Sequence, residues 1–89
     1  MLERELVLKN RRGLHARAAT RLVQCCQPYR ARVMIHHAGK TADAANIMSL
    51  LMLAAPCKSV VQVQVEGDDA PLALEAIVAL FEARFDEDR

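Results

Sequence analysis

Two hydrophobic periods, one of two residues and one of three to four, alternate along the chain and mark its elements. From Leu2 to Lys9, the residues Leu2, Leu6 and Leu8 sit at even positions between polar or charged neighbours, as in a strand with one buried face. Asn10 to Leu14 breaks that period and contains Gly13, so it reads as a loop. Beyond it, Ala19, Leu22, Val23 and Cys26 fall at i, i+3, i+4 and i+7, with Arg17, Thr20, Arg21 and Gln24 opposite. This predicts an amphipathic helix from Ala16 to Gln27, stopped by Pro28. Period two returns over Ala31–His37, where Ala31, Val33 and Ile35 share one face and Arg32, Met34 and His36 the other. Ala38-Gly39 is a tight-turn signal, and the small residues of Lys40–Ala44 suit a short strand closely overlaid by a helix, completing a hairpin.

Asn46 is a good N-cap for Ile47–Leu53, whose Met and Leu content favours a short helix. That helix is apolar nearly all round, so one face can pack on the sheet while Met48 and Met52 project outward toward a partner. Val61, Val63 and Val65 alternate with Gln62 and Gln64 in a strand over Ser59–Glu66 that Gly67 ends. Asp68, Asp69 and Pro71 signal a helix start, and Leu74, Ile77, Val78, Phe81 and Phe85 keep helical spacing to the end. The acidic tail Asp86-Glu87-Asp88 reads as a solvated end. The order is βαββαβα without linker or repeat, a single domain over residues 1–89. One polar sheet face leaves the other for helices, which gives an open-faced sandwich. Split βαβ arrangements of this kind host unrelated functions, so the fold alone selects none.

Composition narrows the choice. Hydrophobic residues make up 53% of the chain and aromatics only 3%, so aliphatic side chains build the core and little flat surface remains for stacking bases. A formal charge of +1 likewise lacks the basic excess of a nucleic-acid domain, and no nucleic-acid partner is expected. Cys25, Cys26 and Cys57 are odd in number and read as free buried thiols. No basic segment precedes an apolar leader core and no apolar run reaches membrane-spanning length, so a cytoplasmic protein without membrane association is expected.

The candidate chemistry sits where loop becomes helix, in Gly13-Leu14-His15-Ala16-Arg17. No Ser, Thr, Asp or Asn immediately precedes the helix, so its first NH groups lack an ordinary side-chain cap and are open to an anion. The positive end of the helix dipole favours a neutral, nucleophilic imidazole at His15. A phosphoryl group on that ring would lie near free NH donors and the Arg17 guanidinium. Arginine in a first helical turn opposes the dipole, and a broken local rule suggests function. The alternative is a solvent-exposed histidine in a basic loop.

Gly13-Leu14-His15-Ala16-Arg17 within this element order resembles the histidine-containing phosphocarrier (HPr) family of the bacterial phosphotransferase system. Gly39-Lys40, the short apolar helix and Glu66-Gly67 also match family positions. Ala45-Asn46 leading into Leu50-Leu51-Met52-Leu53-Ala54, and the ending Phe81–Asp88, resemble the nitrogen-related (NPr) branch. The resemblance implies an HPr-like α+β open-faced β-sandwich, with a four-stranded antiparallel sheet and three helices on one face. It further implies a monomeric carrier, without cofactor or metal, that takes a phosphoryl group from enzyme I and passes it to an EIIA-type protein. His15 would be phosphorylated on Nδ1, Arg17 would neutralise the phosphate, and the NH groups of Ala16 and Arg17 would receive its oxygens. The family's docking surface maps to Leu14, Ala16, Thr20, Ile47, Met48, Leu51 and Met52, although plain core packing is the competing reading for Ile47 and Leu51.

Two departures stand out. Ala18 occupies a position where many members have proline, and Asn46 replaces the regulatory serine of many sugar-branch members. Competing functions are a sugar-branch HPr, a regulatory docking module that acts whether or not His15 is phosphorylated, and a ferredoxin-like RNA- or ligand-binding domain. Metal binding by His15, His36 and His37 is disfavoured, because adjacent strand histidines face opposite sides.

Overall fold

The computed structural model describes residues 1–87. In chain order the elements are β1 (Leu2–Val7), α1 (Ala16–Cys26), β2 (Arg32–His37), β3 (Lys40–Asp43), α2 (Ile47–Met52), β4 (Val60–Glu66) and α3 (Ala70–Glu82). Each period-two stretch is a strand and each helical stretch a helix, with ends trimmed by a residue or two everywhere except at the chain end. β1 stops at Val7, but the ladder goes on for one more step through Leu8 N–H to Ser59 O (2.9 Å) and Lys58 N–H to Leu8 O (2.7 Å).

The strands form one antiparallel sheet in the order β1-β4-β2-β3. Register places Leu6 opposite Val61 and Val33 opposite Val65, so the apolar members of each strand share one face. That face and the inner sides of the three helices bury Leu8, Leu22, Val33, Ile35, Leu50, Val61, Val63, Ile77 and Phe81 in one core. Leu2 stands apart from it and is exposed, since Glu3, Arg4 and Glu5 beside it are also exposed and the start of β1 is left uncovered. The opposite sheet face is polar. His36 hydrogen-bonds Thr41 Oγ1 and Gln64 Oε1, each at 2.7 Å, and Gln62 donates to Glu3 Oε1 at 2.9 Å.

Asn46 caps α2 as expected, its Oδ1 accepting from Ser49 N–H at 3.1 Å. Asp69 stands at the N-cap position of α3 without capping it. Its carboxylate instead accepts from the NH groups of Arg30 (2.9 Å) and Ala31 (2.8 Å), tying the segment before β2 to the start of α3. The three cysteines are free, but only Cys26 is buried; Cys25 and Cys57 are half-buried. Burial, reinforced by Cys25 and Asp43, pushes the Cys26 thiol up to about 12.

The largest correction concerns the chain end. α3 stops at Glu82, and Arg84, Phe85 and Asp86 follow in a tight turn with φ values of 55°, 56° and 60°. Left-handed geometry at three successive non-glycine residues reverses the chain. Phe85 is thereby fully buried with its ring centroid 4.8 Å from that of Phe81, and Arg21 hydrogen-bonds the Phe85 carbonyl. Helical spacing at Phe85 was present in the sequence, but spacing does not reveal the hand of the backbone that delivers the side chain. Of the acidic tail, Asp88 lies outside the described residues.

Candidate functional site

Gly13 has φ +68°, and a Cβ there would fall 2.7 Å from the Pro56 carbonyl carbon and 2.8 Å from Cys57 N, besides colliding with the Ala55 carbonyl oxygen. Glycine therefore lets the loop lie directly on the 55–57 segment, where Leu14 N–H donates to Ala55 O at 2.9 Å. Leu14 is buried beneath the loop, with 5% of its surface exposed. It anchors the loop and offers no docking surface, contrary to expectation.

His15 follows with extended backbone (φ −98°, ψ −174°) and is itself the N-cap of α1. Its Nδ1 accepts from Arg17 N–H over a long 3.4 Å, a weak bond. The expectation of a helix start with no side-chain cap is thus corrected: the imidazole occupies the place of a capping oxygen. The Ala16 NH has no acceptor among the described residues.

The other imidazole nitrogen meets a residue that sequence reasoning left in solvent. Glu87 Oε2 lies 2.6 Å from His15 Nε2, and Glu87 Oε1 accepts from Asn10 Nδ2 at 2.8 Å. Asn10 is fully buried, and the same Nδ2 also donates to Gly13 O at 2.6 Å, while its Oδ1 has no partner. Two acceptors facing one amide atom fix which end of that amide is nitrogen. The Glu87 side chain is only 9% exposed and that of His15 23%, so the pair is shielded from water. Burial alone would raise the Glu87 carboxyl, but hydrogen bonds from Asn10 and His15, the charge His15 carries in its protonated form and the charge of Arg17 outweigh it and hold the group below its ordinary range. Neither Asn10 nor Glu87 carries a motif, and the contact spans 77 positions, so no local signal could have joined them.

Arg17 is exposed on the first turn of α1, and Thr20 is partly exposed with its hydroxyl donating to Ala16 O at 2.8 Å. On α2, which packs against α1, Met48 and Met52 are 66% and 68% exposed and Ile47 lies at the surface, while Leu51 is half-buried against the core. Chemically, the arrangement gathers a ring nitrogen held only by a weak bond from Arg17 N–H, the NH groups of Ala16 and Arg17 and the Arg17 side chain at one helix start, beside an apolar patch.

Residues 2–83 match the family described as "PTS HPr component phosphorylation site". The chain belongs to the HPr family. HPr from Xylella fastidiosa is 40% identical over 88 residues, covering 99% of each chain. NPr from Shewanella violacea is 42% identical over 86 residues, 97% of this chain and 94% of that protein. The crystal structure of HPr-C-His from Thermoanaerobacter tengcongensis superimposes with a TM-score of 0.94 over the whole of both chains, at 34% identity. The fold expected of an HPr-like α+β sandwich is therefore the fold found, and the chain is an HPr/NPr phosphocarrier of the phosphotransferase system. HPr-family proteins of that system interact in general with enzyme I and EIIA-type proteins. Among the described residues no helix is long and apolar enough to cross a membrane.

Proposed function

We propose that His15 accepts the phosphoryl group on Nδ1 from enzyme I of the nitrogen-related branch and passes it to an EIIA-type protein, in the cytoplasm and as a monomer. The observation that carries this reading is the division of labour at the imidazole: Nε2 is occupied by Glu87, and Nδ1 turns its lone pair toward the start of α1. When that lone pair bonds phosphorus, Arg17 N–H loses its nitrogen acceptor and gains a phosphate oxygen. The Ala16 NH and the Arg17 guanidinium supply further donors, in the manner of anion sites at helix N-termini. Transfer then depends on positioning and charge neutralisation more than on covalent chemistry within the carrier.

The nitrogen branch is supported by Asn46, which cannot carry the regulatory phosphate of sugar-branch carriers, and by the run Leu50-Leu51-Met52-Leu53-Ala54. The deciding experiment incubates the protein with phosphoenolpyruvate and either the nitrogen-related or the sugar-related enzyme I. The expected result is one acid-labile phosphate at His15, gained faster from the nitrogen-related donor, and none in His15→Ala. Equal labelling of His15→Ala would overturn the site, and faster labelling by the sugar-related donor would assign the other branch.

A further inference from the structure

The phosphate-handling groups proposed above all gather at Nδ1, yet the shortest polar contact of the imidazole is made at Nε2. Both oxygens of Glu87 are engaged, one by His15 Nε2 at 2.6 Å and one by Asn10 Nδ2 at 2.8 Å. Asn10 is in turn fixed by Gly13 O and by complete burial. A charge-assisted contact so shielded differs from an exposed ion pair, whose partners are free to swing apart.

The two ring nitrogens have opposite requirements. Nδ1 faces a donor, Arg17 N–H, and must present a lone pair, while Nε2 faces a carboxylate and must present a proton. One neutral tautomer, with hydrogen on Nε2, satisfies both. That is the tautomer a nucleophilic Nδ1 requires. The chain also accepts left-handed backbone at Arg84, Phe85 and Asp86 to return Glu87 to this point, and such geometry costs about 1–2 kcal/mol per residue. Strain retained beside a reactive group suggests that its product, the placement of Glu87, is used.

We propose that Glu87, held by Asn10, is a positioning residue for phosphoryl transfer: it keeps the proton on His15 Nε2 and balances the positive charge the ring acquires when Nδ1 bonds phosphorus. This rests on the reading of His15 as phosphoryl acceptor. In the forward step the Nδ1 lone pair forms the bond to phosphorus as the donor's own bond to phosphorus breaks, its electron pair returning to the donor. The ring, now substituted at Nδ1 and still protonated at Nε2, is cationic and faces the Glu87 carboxylate. In the onward step the electrons of the Nδ1–P bond return to Nδ1, leaving the original neutral ring. No proton need leave or arrive in either direction. The carboxylate serves here as the buried acid of a hydrolase triad serves its histidine, with the roles of the two nitrogens exchanged.

The test uses the full chain, labelled with 15N at histidine, as wild type, Glu87→Gln and Glu87→Ala. The first readout needs no phosphoryl donor: the Nε2–H signal of His15, sheltered from exchange by its hydrogen bond. The second is the single-turnover rate of transfer from phosphorylated enzyme I at saturating concentration. Glu87→Ala is expected to lose the sheltered signal and to slow transfer by about tenfold or more, as when the carboxylate behind a metal-bound imidazole is removed. Glu87→Gln, whose amide oxygen still accepts from Nε2–H, is expected to keep the signal and yet transfer more slowly, since the charge is gone. A wild-type rate in Glu87→Ala overturns the proposal, and so does a sheltered signal that survives in that variant. If wild type itself takes no label at His15, the phosphocarrier site fails, while the spectrum still reports on the Glu87 contact.

Discussion

A methyl group added at Gly13 would meet Pro56 C at 2.7 Å and Cys57 N at 2.8 Å, in a backbone region that side chains rarely adopt. These neighbours are main chain and cannot step aside, so Gly13→Ala must lift the loop from the 55–57 segment or strain it in place. We expect it to cost about 2–4 kcal/mol, seen as a lower urea midpoint with an unchanged slope. Because Gly13 O also receives Asn10 Nδ2, the same change should disturb the Asn10–Glu87–His15 chain and slow phosphoryl transfer in the protein that remains folded. At this scale the sequence was partly legible. His15 and Arg17 announce themselves by type and spacing, since a histidine and an arginine at a helix start have a shared use for an anion. Asn10 and Glu87 do not, because their roles arise from contacts across the whole length of the chain.

The reversal after α3 shows the same limit for an element. Periodicity locates every strand and helix because each has a face to bury, and the core takes Ile77, Phe81 and Phe85 just as the spacing implies. It cannot tell whether Phe85 arrives along a continuing helix or by a left-handed turn, since both bring an aromatic ring to the core. The turn survives because burial of Phe85, its tilted packing on Phe81 and the Arg21 hydrogen bond to its carbonyl together offset the backbone strain. Phe85→Ala removes the first two and leaves a cavity. It should destabilise the fold by about 3–5 kcal/mol in chemical denaturation. At a temperature where the variant is still folded, Glu87 should be released and the Nε2–H signal of His15 lost, although neither Glu87 nor His15 has changed. Retention of that signal would mean that the turn does not hold the tail against the site.

For the whole molecule, the polar and apolar faces of the strands dictate the sandwich, and the helices cover one side of it because only one side is apolar. What the sequence leaves open is which apolar residues are accessible, since an apolar residue on a helix fits either a core or an interface. Burial separates two of them: Leu14 is inside, and Met48 is 66% exposed on a helix that packs beside the one capped by His15. Methionine surfaces adapt to differently shaped partners, which suits a carrier that must meet a donor and an acceptor in turn. Met48→Asp tests this, because an acidic residue in the first turn of α2 agrees with the helix dipole and an exposed position tolerates it within about 0.5 kcal/mol. If Met48 docks, the variant should raise the KM for phosphorylated enzyme I by about 5- to 30-fold, the equivalent of about 1–2 kcal/mol, while the rate at saturation stays unchanged. The Glu87 variants are expected to do the reverse and slow transfer even at saturation. That opposition separates encounter from chemistry: an unchanged KM in Met48→Asp would remove α2 from the docking surface without touching the role assigned to His15.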